Sequence, residues 1–174
     1  AIGLMFGADL LLIGAGAGEG VPLTAPLDGP GLVLQGGPTP LLNHHRSIAQ
    51  QADAIDVLIA RNGKFTDGPA EDLDSYGCWG TAVLAPAAGT VVRKVDGLAD
   101  NAIGETDTVN LAGNHVVVEL DPEHFVMLAH LQNGSTRVEV GDRVTAGQPL
   151  ARCGNSGNTS APHLHLQVMN KPDF

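Results

Sequence analysis

Apolar and β-branched residues fall in short runs broken by Gly, Pro, Asn and Asp. Residues 115–120 and 125–131 are two such runs joined by Asp121-Pro122-Glu123-His124, the composition of a hairpin connection. Thr90-Val91-Val92-Arg93-Lys94-Val95 reads as a strand before them. After them come Arg137-Val138-Glu139-Val140, a turn at Gly141-Asp142, then Val144, a turn at Ala146-Gly147-Gln148, and Pro149-Leu150-Ala151. Short strands at this spacing predict an all-β, antiparallel sandwich or barrel-like domain.

Residues 1–43 continue the pattern, with turn signals at Asp28-Gly29-Pro30-Gly31 and Gly36-Gly37-Pro38. The apolar run Leu10-Leu11-Leu12-Ile13 is too short, and too interrupted by Gly3, Gly7, Gly14 and Gly16, for a spanning helix; it also lacks the positive flank of a signal peptide. It is expected to be a buried strand. The first residue is not Met, which raises the expectation that an upstream segment has been removed. Residues 48–60 fit one helical turn or a strand ending at Ile55-Asp56-Val57-Leu58, with the strand expected. Residues 61–80 and 96–113 are polar and read as long surface loops. The division that follows is an N-terminal β segment, 1–42, packing on a main unit, 43–174.

Composition narrows the class. With 174 residues the chain suits one domain, and 16% charged residues beside 23 Gly and 11 Pro suit a turn-rich β fold. A net charge of −10 argues against nucleic acid as a partner, because phosphate recognition needs a basic face. Cys78 and Cys153 are the only cysteines and have no metal-site spacing, so one disulfide and two thiols are equally open.

The candidate chemistry lies in histidines. His163-Leu164-His165 in a strand would present two imidazoles on one face. The loop before it, residues 154–162, is polar and Gly-bearing and is expected at a cleft rim, in reach of substrate backbone. His130 closes the apolar run of residues 125–129. His44 and His45 follow Asn43, and His45 precedes Asp56 by eleven positions. Asp56 is a carboxylate among Ile55, Val57 and Leu58, where a buried charge needs a partner and a metal would supply one. Two histidines and a carboxylate, with water in the fourth place, form a catalytic zinc set. His115 and His124 read as structural or solvated.

Taken in order, these elements resemble the lysostaphin-like zinc endopeptidases that cleave peptidoglycan cross-bridges or stem peptides. The resemblance spans about residues 36–168. It is carried by Asn43-His44-His45 with Asp56, residues 80–86 through Gly89-Thr90-Val91-Val92, Gly113-Asn114, Ala129-His130-Leu131, Gly141-Asp142-Arg143-Val144 with Gly147-Gln148, and residues 157–165. It implies an antiparallel β fold with a metal-bearing groove, Zn2+ held by His45, Asp56 and His165, and catalytic roles for His130 and His163. It further implies peptidoglycan or a peptide as substrate, a location outside the cytoplasm (periplasm, cell envelope or secreted), and other cell-wall or envelope proteins as further partners.

The chain departs from that pattern in several places. The better-known members have HxxxD, whereas here the gap is longer and His44 competes with His45; a variant with a double-His start and this gap assigns the ligand to His45. Leu128 stands for the usual Tyr, Ala161 for the Gly of GPHLHFE, and Leu166-Gln167 for Phe-Glu. Members also tend to continue past the HLH strand, so a further C-terminal stretch is expected. Three alternatives compete with the peptidase. The first is a catalytically inactive domain of this fold serving as scaffold or activator of wall hydrolases. The second is a biotinyl- or lipoyl-like carrier, for which Lys64, Lys94 and Lys171 are not in a suitable turn. The third is a sugar-phosphotransferase phosphocarrier using His130 and His165, which leaves His45 with Asp56 unexplained.

Overall fold

In a computed structural model that describes residues 4–5, 10–13, 20–37 and 39–173, regular structure is almost entirely β. The strands are β1 (Leu4–Met5), β2 (Leu10–Ile13), β3 (Val21–Thr24), β4 (Gly31–Gln35), β5 (Ala54–Ile59), β6 (Ala82–Leu84), β7 (Gly89–Val95), β8 (Asn114–Asp121), β9 (His124–Leu131), β10 (Arg143–Val144), β11 (Pro149–Arg152) and β12 (Leu164–Met169). Eight form one antiparallel sheet in the order β1-β4-β5-β12-β9-β8-β7-β10, while β11 pairs with β6 and β2 with β3. Among the described residues no helix is long and apolar enough to cross a membrane.

The expected hairpin is the centre of this sheet, with Val116 opposite Leu128, Val117 opposite Met127 and Val118 opposite Val126. Because strand side chains alternate between faces, Val116, Val118, Val126 and Leu128 join Ile55, Val57, Ile59, Leu164 and Leu166 in the larger core cluster. Val83 and Leu150 of the small sheet close that cluster from the other side, which makes the core a sandwich. Val117, Phe125, Met127, Ala129 and Met169 form a smaller cluster. Their places in the alternation put them on the opposite face, and Asp56, His165 and Gln167 share that parity on β5 and β12.

The N-terminal segment contributes to the same body. β4 extends the sheet next to β5, and Leu23 and Leu27 are buried in the larger cluster. The run at residues 10–13 is a strand, whereas the burial expected of its side chains lies outside what is described, as do most of residues 1–17 and Pro38.

One expectation needs correction. Arg137-Val138-Glu139-Val140 is not a strand. Arg137 N–H donates to Leu150 O and Val138 is buried, but Glu139 N–H is taken by the Asp142 side chain and Thr136 N–H by Asp96, so side-chain carboxylates replace the ladder. Residues 48–60 hold both proposed structures: a 3-10 turn at Ala49–Gln51 leads into β5.

Cys78 and Cys153 form a disulfide with Cα atoms 5.7 Å apart. It ties the loop of residues 61–80 to the end of β11, where Cys153 also bridges to Leu131, the neighbour of His130.

Candidate metal centre

Asp56 on β5 and His165 on β12 are direct cross-strand partners. His165 Nδ1 lies 3.1 Å from Asp56 Oδ1, and both residues are buried. The other carboxylate oxygen, Oδ2, faces His45 Nε2 at 3.0 Å. His163 Nε2 is 3.5 Å from Oδ1. One carboxylate is therefore ringed by three imidazoles. Burial alone would raise the Asp56 carboxyl, but the surrounding imidazoles of His163, His165 and His45 outweigh it and hold the group well below the usual carboxylate range.

His45 reaches this position on the 3-10 turn His44–Ser47. Asn43 caps the turn by accepting His45 N–H at Oδ1, and its Nδ2 donates to Ala54 O at 2.9 Å, which pins the turn to the start of β5. The His45 N–H is thus held by Asn43, which is itself anchored to a strand residue eleven positions on. Beside it, His44 is exposed, with its ring centroid 3.9 Å from that of His45. Burial and the neighbouring His45 lower its pKa.

His130 arrives by a different device. Along β9, Phe125, Met127 and Ala129 face one side and Val126 and Leu128 the other, so strict alternation would send His130 into the larger core. Its φ is 61°, a left-handed conformation that a side chain other than Gly rarely adopts. The flip lets Leu131 take the core place instead, and the His130 ring stands 4.9 Å from that of His163 and 5.7 Å from that of His165. His130 Nδ1–H donates to Ser156 O at 2.9 Å, and Gly154 N–H donates to His130 O. Burial, with His163 and His165 nearby, pushes the His130 pKa well down.

Within the loop of residues 154–162, Asn158 and Ser160 are exposed, whereas residues 154–157 and 159 turn inward. Gly154, Asn155, Ser156, Gly157 and Thr159 are buried, and they work as a frame. Ser156 Oγ–H donates to Leu131 O and accepts Asn114 N–H, while Ser156 O holds His130. Gly113, at φ 58°, passes so close that a Cβ there would collide with Ser156 O. The next residues hold His163, whose Nδ1–H donates to Ala161 O at 2.9 Å. Burial would lower the His163 pKa, but Asp56 raises it above the ordinary value.

All five singled-out residues, His45, Asp56, His130, His163 and His165, are thus brought to one place. His124 pairs instead with Asp121, and His115 is buried with Nδ1–H on Gly113 O. Asn43, Gln51, Ser156 and Gln167 hold these side chains, and sequence reading assigned none of them that part. Only Gln167 carried a usable signal, its two-residue spacing from His165 in a strand.

The donor set fits zinc. His45 Nε2 is buried without a hydrogen-bond partner even though Asp56 Oδ2 is 3.0 Å away, because the two are not aligned for donation. A buried nitrogen lone pair facing a carboxylate is a costly arrangement without a cation between them. His44, His45 and Asp56 present ligand atoms within 4.8 Å of one another, so His44 is a geometric competitor. His165 is buried and in contact with the same carboxylate, whereas His44 is exposed.

This chain is 40% identical over 83 residues to the glycyl-glycine endopeptidase ALE-1 of Staphylococcus capitis, which covers 47% of the chain and 22% of the relative. It is 32% identical over 90 residues to the murein hydrolase activator EnvC of Escherichia coli, covering 52% of the chain and 20% of the relative. The chain thus spans about a fifth of each. A solved structure described as a peptidase M23 from Pseudomonas aeruginosa shares the fold, with a TM-score of 0.52 and 23% identity over 84% of this chain and 44% of that one. The description Peptidase family M23 matches residues 72–173, more than half the chain, including His130, His163 and His165 and beginning after His45 and Asp56. By that match, the chain belongs to peptidase family M23.

Proposed function

We propose that the protein is a zinc metalloendopeptidase that hydrolyses peptide bonds of bacterial peptidoglycan, in a cross-bridge or a stem peptide. The observation that carries this reading is the convergence of His45 and His165 on the two oxygens of Asp56, with His130 and His163 beside them. His45, Asp56 and His165 would hold the ion. Bound there, zinc supplies an acidified water and polarises a peptide carbonyl.

The protein's own residues supply the rest. His130 and His163 each commit Nδ1–H to a backbone carbonyl, which fixes the ring and leaves Nε2 to exchange a proton with the attacking water, the carbonyl oxygen or the leaving amine. Ser156 and Thr159 hold these rings in place before substrate arrives, so orientation is built into the fold. Residues 43–174 would form the catalytic unit, with residues 1–42 packed on it.

The similarity to EnvC favours a second reading, a non-catalytic activator of wall hydrolases. The complete set of five polar residues favours catalysis. A location outside the cytoplasm is supported by the disulfide, which persists in oxidising compartments, and by a wall substrate. Other envelope proteins would be partners there.

The decisive experiment measures hydrolysis of purified peptidoglycan and of glycine-containing peptides before and after chelation, and after zinc is restored. Loss and recovery are expected. Unchanged hydrolysis in metal-free protein would overturn the zinc reading, and no hydrolysis with zinc bound would favour the activator.

A further inference from the structure

Each imidazole of the cluster has one nitrogen turned towards its neighbours and the other tied to an oxygen. For His130 and His163 the tie is a backbone carbonyl. For His45 and His165 it is a glutamine: His45 Nδ1 lies 3.3 Å from Gln51 Oε1, and His165 Nε2 lies 3.2 Å from Gln167 Oε1.

The second amide's orientation is set by its own nitrogen. Gln167 Nε2 donates to Gln50 O at 2.7 Å, so its oxygen faces His165 and accepts Nε2–H. The nitrogen then left towards Asp56 is Nδ1. Gln167 is 1% exposed, and an amide so deeply buried is destabilising unless both ends are satisfied, as they are here. Gln50 and Gln51 are consecutive in the 3-10 turn Ala49–Gln51. That turn lies within the segment between His45 and Asp56. A single turn therefore reaches both histidines, His45 directly through Gln51 and His165 through the Gln50 carbonyl and Gln167.

We propose that Gln51 and Gln167 are positioning residues for the metal, with the long His45-to-Asp56 segment carrying the turn that orients both ligand histidines. The inference rests on the zinc reading of the site. It accounts for the length of the segment: a gap of a few residues has no room for a turn that returns to β12. It also assigns a job to the neutral residue at position 167, whose amide can accept from His165 and donate to the turn at once. A carboxylate would accept from the histidine but could not donate to Gln50.

The test is zinc affinity, by competition with a chromogenic chelator, on the whole chain and on Gln51→Ala, Gln51→Glu and Gln167→Leu. Removing an outer partner of a ligand histidine typically costs roughly 10–100-fold in metal affinity, and that loss is expected for Gln51→Ala and Gln167→Leu. Gln51→Glu keeps an acceptor for His45 Nδ1–H and is expected to restore binding. Gln51 is only half-buried, so the Gln51→Ala chain should unfold, metal-free, at the wild-type temperature. The visible bands of the cobalt(II)-substituted protein, which report ligand geometry, should change in both weakened variants. If wild type binds no zinc, the zinc reading itself falls. If wild type binds zinc and Gln51→Ala and Gln167→Leu match its affinity and cobalt spectrum, the positioning role alone is overturned.

Discussion

Asp56 and His165 sit opposite each other on adjacent antiparallel strands, with Oδ1 and Nδ1 3.1 Å apart across 109 positions of chain. A buried carboxylate beside imidazole nitrogens is the donor chemistry that a zinc ion takes. Asp56→Ala and His165→Ala are therefore expected to abolish stoichiometric zinc and hydrolysis together. Elemental analysis of purified variants checks this, and a zinc-replete His165→Ala protein would refute the ligand assignment.

His130 and His163 should separate from the ligands by phenotype. Their replacement by Ala is expected to leave zinc content intact and to lower the rate of peptide hydrolysis by roughly 100- to 10,000-fold, the usual worth of a positioned acid or base. Steady-state rates beside metal content give the comparison. Zinc lost in His130→Ala would move that residue into the ligand set.

Adjacent His44 and His45 make the sharpest single contrast. His45 is 6% exposed and faces Asp56, whereas His44 is exposed. Zinc titration should find His44→Ala close to wild type and His45→Ala without tight binding. The reverse order would transfer the role to His44.

The disulfide between Cys78 and Cys153 closes a loop of 75 positions. Bridges of this kind typically contribute about 2–5 kcal/mol. Denaturant unfolding of the Cys78→Ala/Cys153→Ala double variant should show a loss in that range, with less structure in the 61–80 loop by hydrogen exchange. Equal midpoints for the two proteins would contradict it.

His115 links stability to pH. Burial lowers its pKa, only partly offset by its bond to Gly113 O, with Arg93 adding to the depression. The unfolded chain then binds a proton at about pH 6.5 that the folded chain refuses until lower pH, so this residue's contribution to stability falls as pH drops below about 6.5. Unfolding free energies measured from neutral to mildly acidic pH should decline less steeply in His115→Gln. Parallel slopes for the two proteins would be inconsistent with a neutral buried imidazole.

Much of the fold could be read from the chain. The hairpin β8–β9 followed from two apolar runs around Asp121-Pro122-Glu123-His124, because hairpin closure is a local event with a local composition. Arg137-Val138-Glu139-Val140 misled for the same reason. Its composition is that of a strand, but the Asp96 and Asp142 carboxylates that take the neighbouring N–H groups are set by loop geometry. The state of Cys78 and Cys153 was equally closed to local reading, since a bridge depends on two distant Cα atoms coming within 5.7 Å.

By itself the sequence determined an all-β chain and a set of histidines and one aspartate of metal-ligand type, because strand period, turn chemistry and ligand type are properties of neighbouring residues. The tertiary structure decided what faces what. It placed Asp56 across from His165, turned His130 out of the core through a left-handed φ, and made a frame of residues 154–157 and 159. It also brought Gln167 to the turn at Gln50 and Gln51, across 117 positions of chain. Those relations depend on strand order and close packing between residues far apart in the chain, which only the folded protein brings together.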